Sequence, residues 1–241
     1  MGVLNVTPDS FSDGGQFIAP DRALAQARRM IAEGADIIDI GAESTRPYGS
    51  QPVSRDEEMR RLEPVLAAVA ALGTPVSIDS MKSEVIAWAF ENGAAIANDV
   101  WGHDAPVIIM HNRDKPDATL DIMRDIAAFF ERSLEIAANA GIPAGHVVLD
   151  PGIGFGKTQE QSMIALARLD ELRTFGFPVL VGASRKRFID TVVPSEPKER
   201  LGGSLAAHLI AARGGAQIIR THDVADTVQA LRVAHAIEAR R

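Results

Sequence analysis

Eight short apolar runs, each ending in polar or charged residues, constrain this 241-residue chain more than any other feature. They are VLNVT (3–7), DIIDIGA (36–42), PVSIDS (75–80), AIANDV (95–100), PVIIMH (106–111), VVLDPG (147–152), PVLVGAS (178–184) and QIIRTHD (217–223). Most are nearly continuous in apolar character and rich in β-branched residues, as strands buried on both faces of a parallel sheet are. Helix patterns separate them. Ser54 with Glu57 is a capping-box signature ahead of Met59, Leu62, Leu66 and Val69, although Pro64 should kink that helix or displace its start. Residues 119–140 set Ile122, Ile126, Phe129 and Phe130 at helical spacing. Glycines such as Gly34, Gly93, Gly141 and Gly176 fall where helix C-terminal caps are needed. No linker or charge run divides the chain, so one domain over 1–241 is expected, an α/β fold of the (β/α)8 TIM-barrel type.

One unit of that pattern is short. Only WGHDAP separates Val100 from Val107, whereas a parallel crossover needs about a dozen residues or more. The helix between strands four and five is therefore absent from the sequence. Either the chain lacks it, or a segment near Gly102–Asp104 has been left out. The second is expected, because a deletion would leave two neighbouring parallel strands without a connection.

Composition removes several function classes. A net charge of −7 argues against general nucleic-acid binding, and the absence of cysteine excludes disulfides, thiolate metal sites and cysteine nucleophiles. No apolar run approaches the length of a membrane span, and MGVLNVTPDS is not a signal peptide, so a cytoplasmic protein is the expectation.

The stretch VVLDPGIGFGKT (147–158) imitates a phosphate loop. A Walker A motif ending in Gly156-Lys157-Thr158 needs glycine at position 151, which is Pro151. A dinucleotide fingerprint from Gly152 and Gly154 needs glycine at position 157, which is Lys157. Both nucleotide readings fail, which moves attention from Lys157 to Asp150. Lys157 is expected to be the least important charged residue of the motif.

In barrels of this type chemistry sits at the C-terminal ends of the strands. Those ends carry Asn5, then Glu43 with Thr45 and Arg46, Asp79 with Ser80, Asn98 with Asp99, Met110 with His111, Asp150, Ser184-Arg185-Lys186, and Arg220 with His222 and Asp223. Polar residues at one or two strand ends need no special account. Asp79, Asn98 and Asp150 do, because a polar group buried without a partner is costly. Arg46, Arg185, Lys186, Arg187, Arg220 and His222 suit an anionic substrate such as a diphosphate and a carboxylate. Asp79 and Asp150 suit a donor-rich group such as an aminopyrimidine edge. Asn5 is suited to complete a Mg²⁺ site whose other ligands are substrate oxygens. His111 reads as structural, Trp88 and Trp101 as packing residues, and His103, His146, His208 and His235 as solvent or helix-face residues. Glu43 reads as a substrate ligand or as a buried partner of a nearby strand-end group.

Taken in order, LNVTPDSFSDGG, DIGAESTRP, SIDS, ANDVWG, DPGIGFGK, GASRK and RTHDV resemble the dihydropteroate synthase family over nearly the whole chain. The resemblance implies condensation of 7,8-dihydropterin-6-ylmethyl diphosphate with p-aminobenzoate to give 7,8-dihydropteroate and pyrophosphate, with Mg²⁺ as cofactor. It implies a pterin pocket of Asp79, Asn98, Met110, Asp150 and Lys186, and a diphosphate and metal site of Asn5, Arg220 and His222. Phe11, Thr45, Arg46, Pro47, Phe155 and the stem of Lys186 would serve the p-aminobenzoate slot and its covering loops. Arg187 stands where many members have serine; two alternatives are open, contact with the p-aminobenzoate carboxylate through its backbone N–H or a side chain pointing away into solvent. A homodimer through helices of the C-terminal part is also implied. Two other readings remain open: a pterin-binding methyltransferase barrel acting with a corrinoid protein, and a barrel that only binds pterin or a protein partner.

Overall fold

A computed structural model describes residues 1–6, 20–43, 53–98 and 106–240. In chain order the main elements are β1 (Gly2–Asn5), α1 (Pro20–Ala32), β2 (Ile38–Gly41), α2 (Arg55–Ala70), β3 (Val76–Asp79), α3 (Ser83–Glu91), β4 (Ile96–Asn98) and β5 (Val107–Met110). There follow α4 (Ile122–Asn139), β6 (Val147–Asp150), α5 (Gln159–Ala167), β7 (Leu180–Val181), α6 (Arg187–Val192), α7 (Leu201–Arg213), β8 (Ile218–Ile219) and α8 (Val224–Glu238). Seven strands lie inside the apolar runs, and β1 begins one residue ahead of its run, at Gly2.

Every strand pairing is parallel. Strands β1 to β6 pair in sequence order, and β7 pairs with β8. Parallel bridges from Leu149 to Val179 and from Gly2 to Thr221 join the two sheets at both seams. The Leu149 N–H donates to Pro178 O (2.9 Å), and the Val3 N–H donates to Thr221 O (3.0 Å). Together the pairings and bridges run round a ring of eight parallel strands. Apolar residues on one face of the strands, among them Leu4, Ile38, Ile40, Ile78, Val107, Leu149 and Val181, are buried, and so are Ile108 and Leu180 on the other face. That explains the unbroken apolar runs, because the wall is covered by helices outside and by packed side chains within.

Strands β4 and β5 pair directly, Ala97 with Val107 and Asn98 with Ile108. The expected gap near Gly102–Asp104 lies outside the described residues.

Helix α2 runs through Pro64 from Arg55 to Ala70, so the proline neither starts nor stops it. Only half of its expected capping box forms. Ser54 Oγ accepts the Glu57 N–H (3.3 Å), but the Glu57 carboxylate holds Arg60 and Arg61 instead of reaching back. The reciprocal box is found at α5, between Thr158 and Gln161. On α4, Phe130 is fully buried and meets Phe129 and Phe175 edge-on, with ring centroids 5.9 and 5.8 Å away. Replacing Phe130 by Ala should lower the unfolding free energy by about 3–5 kcal/mol, read from urea denaturation. A loss below about 1 kcal/mol would show that this aromatic cluster does not carry the packing assigned to it.

Candidate active site

Strand register decides which polar residues meet. Asn5, Gly41, Asp79 and Asn98 lie in one row across β1 to β4, and Met110 lies beside Asp150 across β5 and β6. Side chains opposite each other in a parallel ladder point the same way. The row therefore presents Asn5, Asp79 and Asn98 together at the C-terminal ends. Gly41 leaves the room: a Cβ there would lie 3.4 Å from Asp79 Cβ and 3.5 Å from its Oδ2.

Two residues below this rim is Asp39, which the sequence reading passed over as part of an apolar run. It is buried, and both its carboxylate oxygens accept from Asn98 Nδ2 (3.3 and 3.2 Å). Arg220 reaches inward from the end of β8. Its Nη2 donates to Asp150 Oδ2 (3.2 Å), and its Nη1 lies 3.7 Å from Asp39 Oδ2. The other Asp150 oxygen accepts the Gly152 N–H (2.7 Å), which turns the chain immediately after β6. Gly182 makes space for the guanidinium, since a Cβ there would lie 3.1 Å from Arg220 Nε and Nη2.

Above this triad, Lys186 Nζ stands 3.9 Å over the Phe155 ring. Burial lowers this ammonium to about 8; Arg220 pushes the same way, while Asp150 and Asp79 oppose it. Lys186, Asp150, Asp79 and Arg220 thus form one electrostatic unit at the strand ends. His222 lies at the exposed rim, with Nδ1 3.0 Å from Ser184 Oγ. Protein groups packed round the ring lower its pKa although one side of it meets solvent, and the Arg185 guanidinium beside it adds to the effect.

The remaining strand-end cations divide. Arg185 is turned away to an ion pair with Asp223, so its charge is matched within the protein. Its backbone is left-handed (φ 58°), a conformation costing a non-glycine residue about 1–2 kcal/mol. The strain is held by the Arg185 N–H to Ser204 Oγ (2.8 Å) and by Arg200 donating to Arg185 O (3.1 Å). Arg187 is exposed in the first turn of α6. Glu43 is half-buried and acts as a partner within the protein: with Glu58 it holds Lys82 Nζ, and it also accepts the Val53 N–H (3.2 Å). Phe11, Thr45, Arg46 and Pro47 lie outside the described residues. Among the described residues no group of three or more His, Cys, Asp or Glu side chains could hold a metal ion.

One sequence expectation, a solvent or helix-face His208, meets a buried side chain, and Lys157 lies deeper than its spacing indicates. His208 is buried on α7, its Nδ1 3.3 Å from Thr227 Oγ1, because the helix face that carries it packs against α8 and not against water. Lys157 is 3% exposed, and its Nζ lies 2.6 Å from His111 Nδ1 and 2.9 Å from Gly152 O. His111 itself is structural as expected, bridging Lys157 and Asp125 (Nε2 to Oδ2, 3.0 Å). Asp39 carried a sequence signal, a carboxylate flanked by isoleucines within a strand. Lys157 carried none, because nothing in its spacing reports depth.

A ring of parallel strands with an ionic, partly desolvated cluster at its C-terminal ends defines an α/β enzyme of the barrel class. The profile of the pterin binding enzyme family matches residues 1–222. The chain belongs to that family. It is 42% identical to the dihydropteroate synthase of Synechocystis over 258 residues, covering 98% of this chain and 89% of the relative. That stretch exceeds the 241 residues of this chain, so the relative carries positions without a counterpart here. Among solved structures, a Clostridium difficile dihydropteroate synthase in the presence of pteroic acid is similar with a TM-score of 0.93 and 45% identity, over 98% of this chain and 95% of the other. A Xanthomonas albilineans dihydropteroate synthase with 4-aminobenzoic acid gives a TM-score of 0.94 and 42% identity, over 99% and 92%.

The buried histidines set a pH dependence of stability. Burial lowers His111 and His208 from 6.5 to about 4; Lys157 adds to the effect on His111. Between those values the unfolded chain binds protons that the native rings refuse, so stability rises with pH across this window and is lost on acidification. Urea midpoints should therefore climb from about pH 4 to about pH 6.5, and the climb should shrink in His208→Gln. A flat profile over that range would contradict the assignment.

Proposed function

We infer that the protein is a dihydropteroate synthase, joining p-aminobenzoate to 7,8-dihydropterin-6-ylmethyl diphosphate with release of pyrophosphate. The observation that carries this reading is Asp150: a buried carboxylate at the tip of β6, held by Arg220 and the Gly152 N–H, on the same face of the strands as Asn98 and Asp79. Acceptors arranged in this way suit the donor edge of an aminopterin ring. The relatives named above bear the same activity in their names, and two were solved with pteroic acid and with 4-aminobenzoic acid.

In this reading Asp79, Asn98 and Asp150 hold the pterin, Met110 packs against it and Lys186 reaches its carbonyl. Arg220 and His222 take the diphosphate. Substitution at the pterin methylene has strong dissociative character: the C–O bond to diphosphate breaks, positive charge spreads into the ring, and the arylamine nitrogen forms the new C–N bond and then loses its extra proton to water. The fixed carboxylates stabilise the developing cation, and the cations stabilise the departing diphosphate. An arylamine is neutral at pH 7, so no strong base has to activate it. Phe155 and the Lys186 stem wall the p-aminobenzoate slot, which Phe11, Thr45, Arg46 and Pro47 complete; Arg187 offers its backbone N–H to the carboxylate.

Asn5 at the end of β1 fits a Mg²⁺ ion that takes most of its ligands from diphosphate oxygens, because it supplies one neutral oxygen and, among the described residues, no cluster of carboxylates or histidines forms a cage for the ion. When bound, the ion would neutralise charge on the leaving group. A homodimer through α6 to α8 belongs to the same reading and is supported by exposed Val192, Val193, Ile210, Val233 and Ile237. A cytoplasmic location is also part of it.

The test is pyrophosphate release that depends on both p-aminobenzoate and Mg²⁺; no turnover with both substrates present rejects the reading. Asp150→Asn should raise KM for the pterin diphosphate about tenfold or more and leave KM for p-aminobenzoate within about threefold. Equal losses would contradict the pocket assignment.

A further inference from the structure

Lys157 meets the residues assigned to substrate only at the backbone carbonyl of Phe155, yet it is among the most deeply held charges of the described residues. Its Nζ has four partners: His111 Nδ1 (2.6 Å), Gly152 O (2.9 Å), Phe155 O (3.2 Å) and His111 O (3.3 Å). All four are acceptors when His111 carries its proton on Nε2. That tautomer is the one fixed by the neighbouring Asp125 carboxylate, which Arg113 Nη1 clamps from the other side (2.8 and 3.0 Å). A lysine ammonium, with three N–H donors and no lone pair, matches such a nest.

The nest joins two segments that the sheet alone does not fasten: the end of β5 at 111–113 and the turn 152–156. These backbones approach so closely that side chains are excluded. A Cβ at Gly152 would lie 1.9 Å from His111 O, and one at Gly156 would lie 2.3 Å from Arg113 O; both glycines have positive φ. Three carbonyl oxygens converge there, and the ammonium supplies donors between them; Gly152 O accepts the Phe155 N–H (3.0 Å) as well. The same turn carries the site. Its first residue caps Asp150, a Cβ at Gly154 would lie 3.2 Å from Lys186 Cδ, and Phe155 lies beneath Lys186 Nζ.

We propose that Lys157 is a positioning residue, which fastens the 152–156 turn to the end of β5 and so sets Phe155 against Lys186 as the wall of the second-substrate slot. The proposal rests on the synthase reading for the identity of that slot. The charged groups facing Lys157 are Asp150 and Asp125, which favour its ammonium form, and Lys186 and Arg113, which oppose it; burial is the largest influence and lowers it to about 7.

Lys157→Met keeps the length of the side chain and removes every donor. KM for p-aminobenzoate should rise about tenfold or more in this variant, KM for the pterin diphosphate should stay within about threefold, and kcat should change less than the first of these. A general loss of structure would not separate the two substrates. Parallel changes in both KM values, or no change in either, overturn the proposal. Where Lys157→Met does not fold, His111→Gln decides, since it removes one partner of the ammonium and leaves the carbonyls in place: a rise confined to p-aminobenzoate supports the proposal, and a parallel or absent rise overturns it. Wild-type protein assayed alongside separates the two layers. Wild-type turnover with parallel changes in the variants strikes this proposal alone, whereas no wild-type turnover strikes the synthase reading and this proposal with it.

Discussion

One guanidinium ties together three strands that are not neighbours in the ring. Arg220, at the end of β8, stands between Asp39 on β2 and Asp150 on β6. Removing ions from water costs several kcal/mol each, and the cost is returned only where geometry and further hydrogen bonds are good. Here Asn98 satisfies Asp39, the Gly152 N–H satisfies Asp150, and Gly182 leaves the space that the guanidinium needs. Much of the site follows from this arrangement. The carboxylate at the tip of β6 is oriented before any ligand arrives, and the Lys186 ammonium faces two carboxylates and one cation from a fixed distance. A charge array held in this way needs little reorganisation when charge develops in a substrate.

The barrel was legible because its strands are buried on both faces, which writes them as apolar runs whatever surrounds them. The strand-end residues were legible for a related reason. Register follows from strand order, so Asn5, Asp79 and Asn98, each the last residue of its run in the sheet, fall into one row. Depth was not legible. Asp39 sits in the middle of a run that reads as apolar, and its burial depends on Arg220, 181 positions further on. His208 looked like a helix-face residue, but which face of α7 meets solvent is decided by the packing of α8. Arg185 looked like an anion ligand until the left-handed backbone aimed it at Asp223. Proline gave the opposite lesson: Pro64 promised a break in α2 that the surrounding packing overrides.

The motif DPGIGFGK shows how one sequence can support two physical accounts. Its glycines suggested a loop curled round a phosphate. They serve instead to let two backbones touch, and the groups they gather are carbonyl oxygens, the opposite polarity to the N–H groups of a phosphate cradle. An internal cation therefore belongs there, and Lys157 supplies it.

The burial of Lys157 also changes what the outside of the molecule is made of. The chain has five lysines, at 82, 115, 157, 186 and 198. Lys157 is sealed in, Lys186 and Lys82 are half-buried in ionic clusters, and Lys115 and Lys198 alone among the five are exposed. Arginine, which does not surrender its proton, supplies nearly all of the positive charge that meets solvent. To an amine-directed label or a lysine-modifying enzyme, the folded protein offers two lysine handles, and both lie outside the ionic core of the site.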